Sequence, residues 1–405
     1  MNAQIYMDHA ATTPVRREVV NAMLPYFTDR FGNPSSQYSE GTQTRQAIDR
    51  ARGQVAEVLS ASPEEIYFTG CGTEADNWAL VGAAEAGRGR GLHIITSSVE
   101  HHAVLHTCRH LERRGFRVTY LPVNGEGVVS VEDLRRALRR DTVLVSIMAA
   151  NNEVGSIQPI AQLAQAAHDR GALFHTDAVQ AFGHIPLSVE ELNVDLLSAS
   201  GHKFGGPKGV GFLYVRDGVP LESFLHGGGQ ERGRRAGTEN VAEIVGMGEA
   251  ARLSAARIEE RAVHVGQLRD YLIRQLRREV PLCRLNGSRE NRLPGNASFC
   301  FAFVEGRSLV LQLDADGICA SGGSACTSGS GQSSHVLLAM GLPPELASGS
   351  LRLTLGEENT RAQIDRVAER IAVHVEELRN QSPAYQEFRQ GRGPRGILRY
   401  FPGNG

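Results

Sequence analysis

Cys326 stands alone in SGGSACTSGSG, residues 321–331, with only Gly, Ser, Ala and Thr around it. Free cysteine is normally among the most buried residue types, and nothing in this stretch could pack over it. A thiol without apolar cover is a candidate nucleophile, carried here on a segment whose Gly and Ser content reads as flexible. A second reactive group is Lys203, between an apolar run and a Gly-rich turn in SASGHKFGGPKGVGFLY. By itself it reads as a solvated lysine. Held beside a cofactor and desolvated, its amine can form a Schiff base, and the adjacent glycines allow close backbone approach to a ligand.

Asp177, in LFHTDAVQ, ends another apolar run. It is either a turn aspartate or the acid that keeps a pyridoxal phosphate ring nitrogen protonated, which makes the ring an electron sink. An aspartate at a strand end followed 26 residues later by a strand-loop lysine fits that cofactor. A phosphate cradle is offered by IYFTGCGTEADNWAL, which reads as strand, Gly-containing turn and helix. The helix is expected to open at Thr73, with Asp76 three residues on completing a capping box, and helix N-termini also bind phosphate. Both readings of Gly72 and Thr73 stand together, with Ser200 and His202 as further phosphate partners. His101 follows the run LHIITSS at a cofactor-facing position, where an imidazole can stack on a ring and move protons near neutral pH. His102, His106 and His110 repeat every four residues, but no carboxylate or thiolate completes a metal set there, and no metal site is expected.

Elements must bring these residues together. Seven apolar runs between about residues 50 and 215 read as strands: EEIYFTG, LHIITSS, FRVTYLPV, TVLVSIMAANN, LFHTDAV, VDLLSAS and GVGFLYV. Several lack polar alternation, as strands covered on both faces do. EADNWALVGAAEAG and IAQLAQAAHDRG read as intervening helices, so the pattern argues for a mainly parallel α/β sheet with ligands at the carboxyl ends of its strands. From about residue 240 one long helical stretch is expected to lead into a smaller domain of strands (NASFCFAFV, SLRLTL) and helices. In LRLTL the leucines share one side, leaving Arg352 and Thr354 on the other. GRGPRGILRYFPGNG reads as a flexible tail.

The composition of the 405 residues is ordinary, 41% apolar and 22% charged, with a net charge of −2. That charge gives no case for nucleic acid or an acidic membrane surface as partner. No apolar run reaches the roughly 18 to 20 residues of a membrane helix, and the start lacks the regions of a signal peptide, so a cytoplasmic protein is expected. The six cysteines are scattered without a C-x-x-C pair, which argues against a disulfide framework, a zinc site or an iron–sulfur scaffold. Cys283, Cys300 and Cys319 are expected to be buried.

The ordered stretches MDHAATTP, FGNPSSQYSEG, FTGCGTEADN, EHHAVL, NNEVGSIQPI, FHTDAVQAFG, SGHKFGGPKGVG, GGGQERGRRAGTEN, SGGSACTSGS and RLTLG span residue 7 to about 360. Together they resemble the NifS/IscS-type cysteine desulfurases, pyridoxal-phosphate enzymes of the class V aminotransferase family with the type I fold. The resemblance implies an α/β large domain over 14–259 with a mainly parallel seven-stranded sheet. It also implies a smaller α+β domain from 1–13 and 260–385 that carries a mobile loop at about 321–334, and a flexible tail at 386–405. It implies that pyridoxal 5′-phosphate is bound to Lys203, with Asp177 on the ring nitrogen, Gln180 on the ring hydroxyl and His101 stacked on the ring. Gly72, Thr73, Ser200 and His202 are implied at the phosphate, with Thr238 reaching the phosphate of a second subunit in a homodimer. Asn152 and Arg352 are implied to hold the substrate carboxylate, which suits the bidentate fork of a guanidinium. Cys326 would take sulfur from L-cysteine as a persulfide, leave L-alanine, and hand the sulfur to an iron–sulfur scaffold or another acceptor. Selenocysteine lyase and class V aminotransferase are the neighbouring alternatives. Two departures stand out: GSGQSS follows SACTS where many relatives have a Leu-Glu-Pro-Ser turn, and His9 replaces a frequent Asn or Tyr.

Overall fold

The computed structural model describes residues 4–323, 333–392 and 395–401. Cys326, and with it most of the loop expected at 321–334, lies outside the described residues.

The strands among the described residues are β1 (Ile5–Tyr6), β2 (Ile66–Thr69), β3 (His93–Ser97), β4 (Arg117–Leu121), β5 (Thr142–Ser146), β6 (Leu173–Asp177), β7 (Leu196–Ser200), β8 (Gly211–Val215), β9 (Cys283–Leu285), β10 (Asn296–Phe301), β11 (Ile318–Cys319) and β12 (Ser350–Thr354). All seven runs read as strands between 50 and 215 enter one seven-stranded sheet of order β2-β8-β7-β6-β5-β3-β4. Only β8 runs antiparallel to its neighbours β2 and β7. The missing polar alternation has a direct cause. Successive residues Ile94/Ile95, Leu144/Val145, Leu196/Leu197 and Leu213/Phe212 point to opposite faces, and each face is covered. Ile94, Leu144, Leu196 and Leu213 join one apolar cluster with Trp78, Val104 and Leu111 of the helices Gly72–Ala86 and His102–Arg113. Ile95, Val145, Leu197 and Phe212 join another with Leu163 of helix Ile160–His168 and Met247 of helix Val241–Ala256.

A further apolar cluster gathers Ile5, Met7, Leu268, Leu272, Phe299, Leu351, Leu353 and Ile371. It is built around the antiparallel sheet β12-β10-β9 and the parallel pair β1-β11. Leu351, Leu353 and Leu355 lie in it, while Arg352 and Thr354 turn toward Asp8 and the backbone of Ala10, the two-sided arrangement expected of LRLTL.

Several expectations are corrected. The single long helical stretch is two helices, Val241–Ala256 and Ile258–Glu279, broken at Arg257 with φ −136° and ψ 30°. The first packs Ile244 and Met247 against the large sheet, the second packs Leu268 and Leu272 in the other cluster. The freed carbonyl of Ser254 is recovered by an Arg261 guanidinium N–H at 2.9 Å, so no Pro or Gly was needed to mark the break. Part of the expected tail packs: helix Pro383–Arg389 and the 3₁₀ segment Arg395–Tyr400 deliver Phe401, 5% exposed, into a cluster with Val99, Val154, Val336 and Leu337. Counting Gly, Pro and Arg hid the few apolar side chains that find this site. Cys283 and Cys300 are buried as expected, but Cys319 is half-exposed and accepts a hydrogen bond from the Gln4 amide at 2.9 Å.

Candidate active site

The carboxyl ends of β2, β3, β5, β6 and β7 open on a cavity of about 270 Å³. Its lining brings together Gly72, Thr73, His101, Asn152, Asp177, Gln180, Ser200, His202, Lys203 and Arg352. Of the residues expected at the site, two are absent from this lining: Cys326, which is outside the described residues, and Thr238. Thr238 is exposed on the loop before helix Val241–Ala256.

Asp177 is the last residue of β6 and is 4% exposed. One carboxylate oxygen accepts the Val179 N–H at 2.9 Å. Burial raises the affinity of this carboxyl for a proton, against the pull of that bond and of Lys203. Lys203 ends a short 3₁₀ turn directly after β7, and its ammonium donates to the carbonyls of Ala10 and Ala11 at 2.7 and 2.9 Å. Its own carbonyl accepts a hydrogen bond from His184 Nε2 at 2.8 Å, which braces the turn from behind.

His101 caps the helix His102–Arg113: its Nδ1 accepts the Ala103 N–H at 3.1 Å. Burial, with Lys203 next, pushes its pKa down to about 4. The neutral ring therefore carries its proton on Nε2, the one nitrogen left to exchange it. His202 is likewise pushed to about 4 by burial and Lys203, and its Nδ1 lies 3.1 Å from the Thr12 hydroxyl.

The helix beside this wall starts at Gly72, not Thr73, and Cys71 is its N-cap without a side-chain bond. The capping box is not formed. Asp76 is 1% exposed and lines the cavity instead of returning to the helix start, while Glu74 accepts the Gly70 N–H at 2.8 Å. The first-turn N–H groups have no acceptor within the helix, and Gly72 and Thr73 of that turn line the cavity. Gly72 is needed for closeness: a Cβ there would sit 2.8 Å from Val179 Cγ2 and 3.1 Å from Ser200 Cβ. The loop carrying Thr238 is tied to this helix by Arg235, whose Nε donates to Glu74 at 2.8 Å.

Arg352, 2% exposed, lies across the cavity on β12. Its Nη2 donates to Asp8 at 2.8 Å and its Nη1 to the Asn152 carbonyl at 3.0 Å. Its Nε is buried without a hydrogen-bond partner, which leaves one edge of the guanidinium unspent. Gln180 donates to the Ala10 carbonyl at 3.0 Å. Sequence reasoning missed the part played by the segment Asp8–Thr12, which supplies the Arg352 partner and two cavity-lining carbonyls. The only signal was its presence among the motif stretches. It also missed Asp76, Met148 and Cys71 in the lining.

Among the described residues, no group of three or more His, Cys, Asp or Glu is arranged to hold a metal ion, although the His102 ring lies near those of His106 and His335, tilted, at 5.1 and 4.9 Å between ring centroids. No described helix is long and apolar enough to cross a membrane.

The family model for class-V aminotransferases matches residues 5–367. The chain is 56% identical over 382 residues to the cysteine desulfurase IscS of Methanosarcina thermophila, covering 94% of each chain. Among solved structures it is similar to a NifS-like protein, with TM-score 0.87 and 40% identity over 92% of this chain and 99% of the other. It also resembles SspA in complex with cysteine, with TM-score 0.78 and 36% identity over 88% of this chain and 100% of that one. The chain belongs to the class-V aminotransferase family, in its NifS/IscS cysteine desulfurase branch, and the cofactor of these enzymes is pyridoxal 5′-phosphate. The residues present fit that group. A buried carboxyl, a lysine amine, a neutral imidazole and an open helix start line one cavity.

Proposed function

We propose that the chain is a cysteine desulfurase that converts L-cysteine to L-alanine, stores the sulfur as a persulfide on Cys326 and passes it to an acceptor protein for iron–sulfur cluster or other sulfur-cofactor assembly. The observation that carries this reading is the buried Arg352 with its unpartnered Nε in the same cavity as Lys203 and Asp177. An amino acid's carboxylate is the anion such a fork accepts.

Lys203, Asp177, Gln180 and His101 would hold pyridoxal phosphate, with Gly72, Thr73, Ser200 and His202 at its phosphate, and the bound group would supply an electron sink for charge developing on the substrate α-carbon. The protein's own residues do the rest. Arg352 and Asn152 orient the substrate carboxylate. Lys203 Nζ takes the α-proton. His101 Nε2 gives or takes the proton at sulfur, since its Nδ1 is committed to Ala103. The Cys326 thiolate attacks the substrate sulfur, so an S–S bond forms as the C–S bond breaks, and protonation of the remaining carbon skeleton gives alanine. A thiol with an ordinary pKa of about 8.5 is mostly protonated at neutral pH, so a nearby base must activate it.

A large domain spans 14–259, and a smaller one combines 1–13 with 260–385 and carries the Cys326 segment. The enzyme is a cytoplasmic sulfurtransferase and a homodimer in which Thr238 reaches the partner's phosphate. The exposed side chains of Leu24, Phe27, Phe31 and Tyr38 support a protein-covered face.

Feeding isotopically labelled cysteine and mapping sulfane sulfur by mass spectrometry tests the reading. Persulfide on Cys326 is expected in the wild type, and Cys326→Ser is expected to keep the cofactor's absorbance yet release no sulfide. Near-normal alanine release by Cys326→Ser without added thiol would refute the proposed role.

A further inference from the structure

Asp76 has no role in the reading above, yet it is placed like a working residue. It lies early in the helix Gly72–Ala86, is 1% exposed and lines the cavity with Asp177. Its Oδ1 is buried without a hydrogen-bond partner. Ser198 hydrogen-bonds its carboxyl group, and His175 Nε2 is 2.9 Å from that hydroxyl and 3.8 Å from Asp76 Oδ1. His175 Nδ1 in turn lies 2.8 Å from the Ser146 hydroxyl. Burial pushes His175 down to about 3, so the imidazole relays hydrogen bonds and brings no charge to balance Asp76.

A third buried carboxyl, Glu100, faces the same region, accepting the Met148 N–H at 3.1 and 3.0 Å and the Ser97 hydroxyl at 2.5 Å. The cations lining the cavity are Lys203 and Arg352, and Arg352 is paired with Asp8 at 2.8 Å. His101 and His202 are neutral, and the Cys71 thiol adds no positive charge. Burial pushes the Glu100 carboxyl up to about 8, so it is mostly protonated at neutral pH, and ionising Asp76 beside Asp177 would place two negative charges on side chains that are 1% and 4% exposed. Two carboxylates sharing such a site hold one proton between them.

We propose that Asp76 is a positioning acid that keeps the shared proton of the Asp76–Asp177 pair, so that Asp177 alone carries the charge facing the ring nitrogen. The inference rests on the placement of the cofactor given above. An ionised Asp76 would leave a buried negative charge on an oxygen with no hydrogen-bond partner, a cost that protonation removes. Burial, and then the charge of Asp177, favour the protonated form of Asp76 in the same direction. The pair titrates as a unit.

The test is made on holoenzyme. The infrared spectrum of the wild type minus that of Asp76→Asn at neutral pH is expected to contain the C=O stretch of a protonated carboxyl. Glu100 is common to both proteins and cancels. Because Asn matches the shape and neutrality of the protonated acid, Asp76→Asn is expected to bind cofactor within about twofold of wild type at pH 7, whereas Asp177→Asn loses about tenfold or more with its charge-assisted bond. Besides a transition near 8 from Glu100, which both proteins share, the wild type is expected to show an alkaline transition in the cofactor absorbance, as Asp76 ionises, that Asp76→Asn lacks. A normal cofactor band with no acid C=O in the difference spectrum overturns the role of Asp76 and leaves the functional reading intact. The absence of any cofactor band in the wild type overturns that reading and this inference with it.

Discussion

Replacing Arg352 by Gln separates two jobs that the structure gives one side chain. The guanidinium is 2% exposed, bonded to Asp8 and the Asn152 carbonyl, with Nε unspent. A charge-assisted hydrogen bond to a substrate carboxylate contributes about 1.5–3 kcal/mol, so the half-saturating cysteine concentration is expected to rise about 10- to 150-fold. The same change strips Asp8 of its partner. Breaking a fully buried pair costs about 3–5 kcal/mol, but the Asp8 side chain is 16% exposed, so the low end of that range applies. Asp8→Asn in the same chain removes the orphaned charge. The double variant is expected to recover most of the lost thermal stability while keeping the raised half-saturation. The assay is initial-rate alanine formation against cysteine concentration, with cofactor affinity from absorbance titration and melting temperature measured in parallel. Cofactor affinity is expected to change much less than cysteine affinity. An unchanged half-saturation in Arg352→Gln, or its recovery in the double variant, would refute the argument.

Lys203→Ala is expected to abolish turnover, and borohydride reduction of the wild type is expected to attach cofactor to the peptide containing Lys203. Label on a peptide containing Lys208 alone would reassign the residue. Gly72→Ala places a Cβ 2.8 Å from Val179 Cγ2; a cost of about 1–3 kcal/mol and a weaker cofactor titration are expected, and unchanged values of both would show that the helix start can shift freely. His184, held at about 4 by burial, has a folded pKa below the unfolded value of about 6.5. Its contribution is therefore complete above pH 6.5 and is lost as pH falls toward 4, amounting to about 2 kcal/mol at pH 5. His184→Gln keeps an N–H for the Lys203 carbonyl, so its stability is expected to fall less than that of the wild type between pH 7 and pH 5. Equal losses in the two proteins would show that His184 already titrates normally.

Much of this molecule is legible along the chain because its signals are local. Two-faced burial of a central strand needs an unbroken apolar run, and the seven runs became the seven strands of one sheet. Parallel strands bring their carboxyl ends to one edge, so Asp177, Ser200 and His101 could be placed at a common site from strand ends alone. Side-chain alternation likewise put Arg352 opposite the leucines of β12. What the sequence could not decide is which distant groups meet and which polar groups lose water. Asp76 reads as a helix cap until burial beside Asp177 makes that position too costly for a second charge. Asp8 becomes the partner of Arg352 across 344 residues, a pairing no local pattern encodes. The helix break at Arg257 exists because its two halves serve different apolar clusters, and Phe401 finds a cover that composition concealed. Residue type and spacing set what a side chain is able to do. Desolvation and long-range packing, which exist only once the chain has closed on itself, choose its partner and its charge.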